Sequence, residues 1–302
     1  MRPLALLLVA VAAAPAAAQP PAPQTPLQRL ESSIQRLTRS ANASWGIYVK
    51  CLETGEEIAL DADREMDTMS TIKIPLMVEA FEQIKAGRFR LSDRYTLVKE
   101  DVLPGTGILR SMDPGAQITV KDLITLMIIV SDNTATDVMY RMVGGPAKVT
   151  QRMQALGLKS TRADATARAW FDALRAAGNA ADFHRAGKNP YGISTAREMG
   201  SLLERMERGT LVDEDSSKQM LQILRGQLYR TRIPRFLAGW NVPHKTGDFL
   251  PYIADDVGVL ESTERKVVLS VFTANHFGSG EALEETIGRV AEQVAAYFAF
   301  RR

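Results

Sequence analysis

Ser70 and Lys73 stand three residues apart, a spacing that puts both side chains on one face of a helix beginning at the serine. A serine hydroxyl at neutral pH needs a base before it becomes a nucleophile. A lysine in an apolar pocket can supply one, because desolvation disfavours its ammonium form. A helix start adds the positive end of the backbone dipole at the hydroxyl. On its own the pair equally describes a serine cap beside a solvated lysine. Two further polar triplets follow in the chain, Ser131-Asp132-Asn133 and Lys245-Thr246-Gly247.

The elements that must carry these residues are legible from spacing and punctuation. Leu27, Leu30, Ile34 and Leu37 recur at helical intervals over 27–39, and 45–51 with 57–61 reads as a hairpin turning at Glu53-Thr54-Gly55. From Ser70 the pattern becomes helical. Thr119 with Asp122, and Thr195 with Glu198, are capping-box signatures, the first ahead of a 123–129 run apolar enough for a central buried helix. Gly144-Gly145 ends one helix and Pro146 opens the next. Strand patterns return at 242–246, 255–261 and 266–273, before a closing helix over 281–300. Strands near both ends with helices between them predict an α/β domain from 27–68 and 213–302, interrupted by an all-α domain over 69–212.

Composition narrows the function classes. The chain has 37 basic against 35 acidic side chains, so it carries no electrostatic footprint for nucleic acid or anionic membrane, and the expected partner is a small molecule. Residues 1–18 read as a secretory signal peptide and 19–26 as a Pro-rich linker, which predicts an exported, periplasmic or secreted protein without a membrane anchor. Cys51 is the single cysteine, so no intrachain disulfide is possible. His184, His244 and His276 show no metal-ligand spacing, and no metal or cofactor is expected.

With the three motifs in this order, the chain resembles the class A serine β-lactamases of the penicillin-recognising serine hydrolases. Thr134-Ala135-Thr136-Asp137, Gly144-Gly145-Pro146 and Leu156-Gly157-Leu158 also fall where that family has them, so the resemblance covers roughly residues 28–300. It implies an α+β sandwich of the β-lactamase/DD-peptidase type, an antiparallel sheet flanked by helices plus an all-α domain, in a monomer. It implies Ser70 as nucleophile, Lys73 as base, Ser131 as proton relay to the leaving nitrogen, and Asn133 as binder of the substrate amide. Asp132 would hold the loop shape. Lys245 and Thr246 suit the carboxylate of β-lactams and D-Ala-D-Ala termini. Gly247 would let substrate approach the backbone, and the N–H groups of Ser70 and Asp248 would form the oxyanion hole. The family also places an arginine near this strand. Among Arg230, Arg232 and Arg235, Arg232 is the candidate for the substrate carboxylate, and a solvated arginine pair around Pro234 fits equally well.

The resemblance fails at deacylation. Class A enzymes carry a Glu in the pattern E-x-x-L-N, and an ungapped count puts that position at Ala167, within Ala167-Arg168-Ala169-Trp170-Phe171. No Glu lies between Glu100 and Glu198. Asp172 and Asp182 are the carboxylates that could substitute, on a 170–193 stretch longer than the family's loop. Asp248 is a further departure, an acid where the family has a small residue, free either to repel a substrate carboxylate or to turn away. The leading expectation is a β-lactam hydrolase with an acyl-enzyme at Ser70 and slow deacylation. The alternatives are a penicillin-binding-protein-like DD-peptidase or esterase, and a β-lactam or muropeptide receptor whose stable acyl form is the signal.

Overall fold

The computed structural model describes residues 24–188 and 190–299. The expected signal peptide, most of the linker and the last residue of the closing helix lie outside the described residues. Helix α1 (Pro26–Ser40) starts at Thr25, whose side chain and Gln28 form a reciprocal capping box. Strands β1 (Ser44–Cys51) and β2 (Glu57–Leu60) form the expected hairpin, and β3 (Met66–Asp67) leads to Ser70. Next come α2 (Lys73–Lys85), β4 (Arg94–Thr96), β5 (Gln117–Thr119), α3 (Val120–Ile129), α4 (Asn133–Val143) and α5 (Pro146–Ala155). Beyond β6 (Arg162–Ala163), the long stretch contains α6 (Ala167–Ala176) and α7 (Ala180–Ala186). It ends at β7 (Gly192–Ser194), followed by α8 (Ala196–Glu207) and α9 (Glu214–Arg225). Strands β8 (His244–Phe249), β9 (Ile253–Glu261) and β10 (Lys266–Ala274), then α10 (Gly280–Ala299), complete the chain.

The main sheet has the order β2-β1-β10-β9-β8, with every pair antiparallel, so segments from the two chain ends hydrogen-bond side by side. Side-chain alternation assigns its faces. Ile47, Val49 and Cys51 of β1 pack with Leu30 and Ile34 of α1 and with Ile287, Val290 and Val294 of α10. Tyr48, between them, joins the other core with Val268, Phe272 and the helices. Because both faces are covered, the central strands are buried almost without interruption, which explains their lack of polar alternation.

More enclosed than the apolar α3 are α2, with ten of thirteen residues buried, and α4, with nine of eleven, whereas α3 exposes Lys121 and Asp122. Its 123–129 apolar run was misleading because a run shows hydrophobicity without showing how many neighbours surround it. Among the described residues, no helix is long and apolar enough to cross a membrane. The expected caps form: Thr119 accepts from the Asp122 N–H at 3.0 Å and Thr195 from the Glu198 N–H at 3.0 Å. Replacing Thr119 by Ala is expected to cost ~1 kcal/mol, the usual worth of an N-cap, read as a lower urea midpoint at unchanged slope.

Candidate active site

Ser70 lies in a 3-10 turn, Met69–Ile72, and the α-helix proper starts at Lys73 rather than at the serine. Thr68 holds the turn, its carbonyl accepting the Thr71 N–H at 2.9 Å and the Thr71 hydroxyl at 2.8 Å. Met69 has φ 42°, a left-handed conformation costly for a non-glycine residue, and Ser131 across the cleft shares it at φ 53°.

Lys73 is fully buried. Its Nζ lies 2.8 Å from the Ser131 carbonyl, 3.0 Å from Ser131 Oγ and 3.0 Å from Asn133 Oδ1. Burial, reinforced by the nearby charge of Lys245, holds this amine well below the ordinary lysine range. Lys245 is equally buried, with Nζ 3.1 Å from Ser131 Oγ and 2.8 Å from the Thr246 carbonyl. Burial pushes its pKa down to about 7, opposed by the carboxylates of Asp248 and Asp256. Ser131 Oγ thus bridges the two lysines.

Asp132 fixes this loop from beneath. Its carboxylate accepts the N–H groups of Ile108 at 2.7 Å, Leu109 at 2.8 Å and Ala135 at 2.9 Å. Gly107 (φ 109°) is required above it, since a Cβ there would lie 2.3 Å from that carboxyl group. Asn133 Nδ2 donates to the Pro104 carbonyl at 3.2 Å. On the opposite wall, a Cβ on Gly247 would come within 2.6 Å of the Thr68 carbonyl and 3.2 Å of the Ser70 nitrogen, so β8 lies directly against the nucleophile's turn. The Thr246 hydroxyl is buried without a protein partner. Ser70, Ser131 and Asn133 of the first two motifs border one cavity of about 330 Å³ with Asp248, the residue after the third motif, whose Lys245 reaches Ser131 Oγ from behind it.

The family model for the beta-lactamase enzyme family matches residues 29–298. The chain belongs to that family. It spans about half the length of a Rhodobacter capsulatus beta-lactamase that it resembles, at 28% identity over 141 residues, 47% of this chain and 48% of that one. A Streptomyces albus G beta-lactamase is 29% identical over 255 residues, 81% of this chain and 76% of that protein. Among solved structures, PBP-A superposes with a TM-score of 0.78 at 26% identity, covering 92% of this chain and 98% of that one. Its L158E mutant is described as an acyl-enzyme complex with penicillin-G.

Within this beta-lactamase family site, three placements differ from expectation. Arg232 has a side chain only 2% exposed and does not border the cavity, so it does not present itself to a substrate carboxylate. Its guanidinium donates to the carbonyls of Asp255 at 2.8 Å and Gly247 at 3.2 Å, to Glu284 at 2.9 Å and to Asp248. Asp248 accordingly turns toward Arg232. Asp172 and Asp182 are 58% and 65% exposed, each paired with an arginine on its own helix, and neither borders the cavity.

Ala167 does border it, at the first position of α6. Its N–H and that of Arg168 donate to Asp137 at 2.7 and 3.0 Å, tying the start of α6 to α4. Trp170, Phe171 and Leu174 of α6, with Phe249 and Leu250 at the end of β8, make the rest of the wall apolar. These five escaped the sequence reading, although the i, i+3, i+4, i+7 spacing of Ala167, Trp170, Phe171 and Leu174 is a usable helical signal. Gly247→Ala is expected to lower the Ser70 acylation rate by about a hundredfold, since the added methyl must push strand from turn, while circular dichroism stays native. An unchanged rate would mean that this contact does not set the site.

Proposed function

We propose that this chain is a serine hydrolase that opens β-lactam amides through an ester on Ser70, and that deacylation is its slow step. The observation carrying this reading is Ser131 Oγ, held 3.0 Å from Lys73 Nζ and 3.1 Å from Lys245 Nζ. A neutral Lys73 has two N–H groups and one lone pair. The Ser131 carbonyl and Asn133 Oδ1 take the N–H groups, leaving the lone pair for a hydroxyl proton. Ser70 Oγ attacks the carbonyl carbon and its proton passes to Lys73. The tetrahedral oxyanion is met by the N–H groups of Ser70 and Asp248, which charge development favours. Ser131 then relays the proton to the leaving nitrogen as the C–N bond breaks, while Lys245 and Thr246 bind at the leaving-group side and Asn133 holds the amide.

Hydrolysis of the ester needs a base for water. The cavity wall offers Ala167 where such a base would stand, and Asp137, the carboxylate beneath it, is occupied by two backbone donors. That arrangement favours a second reading, a penicillin-binding-protein-like DD-peptidase or esterase that β-lactams trap, and the likeness to PBP-A supports it. Both readings take 1–18 as an export leader to the periplasm or the medium. Both also divide the chain into an α/β part (27–68 with 213–302) and an α part (69–212).

In the time course of intact mass with benzylpenicillin, the wild type should gain one ligand mass and lose it slowly, and Ser70→Ala should gain none. Ala167→Glu restores a carboxylate to the wall and should speed loss of the adduct by about a hundredfold or more, the usual worth of a general base. Asp172→Asn should change nothing. Rapid wild-type turnover, unaltered by Ala167→Glu, would place the hydrolytic base elsewhere.

The lysines also set a pH signature. Binding an anionic substrate needs charged Lys245, and with its pKa near 7 that charge is lost as pH rises through neutrality. KM for a carboxylate substrate should therefore climb by up to about tenfold per pH unit above neutrality, and KM for an uncharged ester should not. Parallel profiles for the two substrates would remove Lys245 from carboxylate binding.

A further inference from the structure

Thr246 and Asp248 are two residues apart on β8, so their side chains leave the strand on the same face. A ligand group at this end of the cavity therefore sits beside the Asp248 carboxylate, with the buried Thr246 hydroxyl behind it. Asp248 keeps 34% of its side chain exposed and borders the cavity, even though one of its oxygens engages Arg232. Arg232 does not cancel the charge on offer, because Glu284 shares the same guanidinium nitrogen at 2.9 Å. Two acids thus stand against one guanidinium. The next acid along, Asp256, is taken by His244 Nδ1 at 2.8 Å and by the Ile233 N–H at 3.0 Å. Lys245, buried behind the cavity with its amine on Ser131 Oγ, lies three positions before Asp248 on the same strand.

Resting on the Ser70 acylation reading above, we propose that Asp248 determines substrate class here: it selects acyl donors uncharged at the group bordering Asp248, an ester or an amide, over donors carrying a carboxylate there. A free carboxylate in that place meets a like charge at close range. An ester or amide meets none. The selection works against the wrong ligand rather than by an added contact to the right one. It operates on the leaving-group side and leaves the Ser70, Lys73 and Ser131 proton path as described.

The test uses one matched pair, benzylpenicillin and its methyl ester, with the rate of Ser70 acylation followed by intact mass. Measurements are made over a range of pH below neutrality, because Asp248 also holds the proton on Lys245 and the variant loses that proton at a lower pH than the wild type. The wild type is expected to react with the ester at least as fast as with the carboxylate. Asp248→Asn, which is isosteric and still accepts from Arg232, should move the ratio about tenfold or more toward the carboxylate. Should that variant fold poorly, added salt on the wild type reads the same repulsion, and screening should shift the ratio in the same direction. A wild type preferring the carboxylate by about tenfold or more, or a ratio unmoved by both the variant and salt, overturns the proposal while leaving Ser70 acylation standing. Failure of both compounds to acylate Ser70 overturns that reading, and this proposal with it.

Discussion

Two lysine amines are buried within reach of one serine hydroxyl, and the rest of the site follows from what that burial demands. An amine removed from water must find acceptors or lose its proton. Lys73 has two carbonyl oxygens within hydrogen-bond reach, and burial holds its amine well below the lysine range. Lys245 finds the Thr246 carbonyl and the same serine hydroxyl. One of the acceptors that Lys73 uses is the backbone carbonyl of Ser131, so the 131–133 loop must present main chain and side chain to the same point. That requirement explains the left-handed conformation of Ser131, which ordinary loop geometry would avoid.

A strained loop persists only if its surroundings hold it. Asp132 does so through three backbone N–H groups, and Thr106 Oγ1 donates to the Ser131 carbonyl at 2.6 Å. The 104–107 segment can lie this close because Gly105 and Gly107 have no Cβ to collide with Asn133 and Asp132. On the facing side, β8 is the outermost strand of the main sheet, and at Gly247 it lies against the turn that carries Ser70. The site is thus built between a loop clamped by a carboxylate and a strand fixed by register. Neither wall depends on a flexible surface segment.

How much of this was legible in the sequence follows from the same distinction. Ser70, Lys73, Ser131, Asn133, Lys245 and Thr246 could be named because their chemistry sits in short local patterns. The helix caps at Thr119 and Thr195 were legible because capping is decided within four residues. Arg232 was misplaced because three arginines in six residues look alike until the sheet shows which of them is buried against Asp248 and Glu284. Asp172 and Asp182 looked available because nothing local reveals that their helices turn these side chains outward to pair with Arg175 and Arg185. The apolar wall was invisible for a different reason. Trp170 and Phe171 were noted as a loss of the expected polar pattern, and what replaces that pattern is an edge-to-face aromatic cluster. In it Trp170 meets Phe171 at 5.3 Å and Phe249, from a distant strand, at 5.2 Å.

The two halves of an acyl-enzyme reaction therefore rest on different parts of this fold. Acylation draws on the turn before α2, the loop before α4 and the edge of β8, all cross-braced by buried lysines. Losing any one of these leaves unpaired polar groups in the core, so the set is held together by stability as well as by chemistry. The position facing the ester from α6 carries no such obligation. Asp137 binds the N–H groups of residues 167 and 168, and those donors are present whatever side chain stands there. The start of α6 stays anchored with alanine at 167, and the helix is free to bury Trp170 against Phe249 and Phe183. Under the proposed reading, the base for deacylation can thus be absent without disturbing the groups braced around the buried lysines, which stand beside an apolar wall.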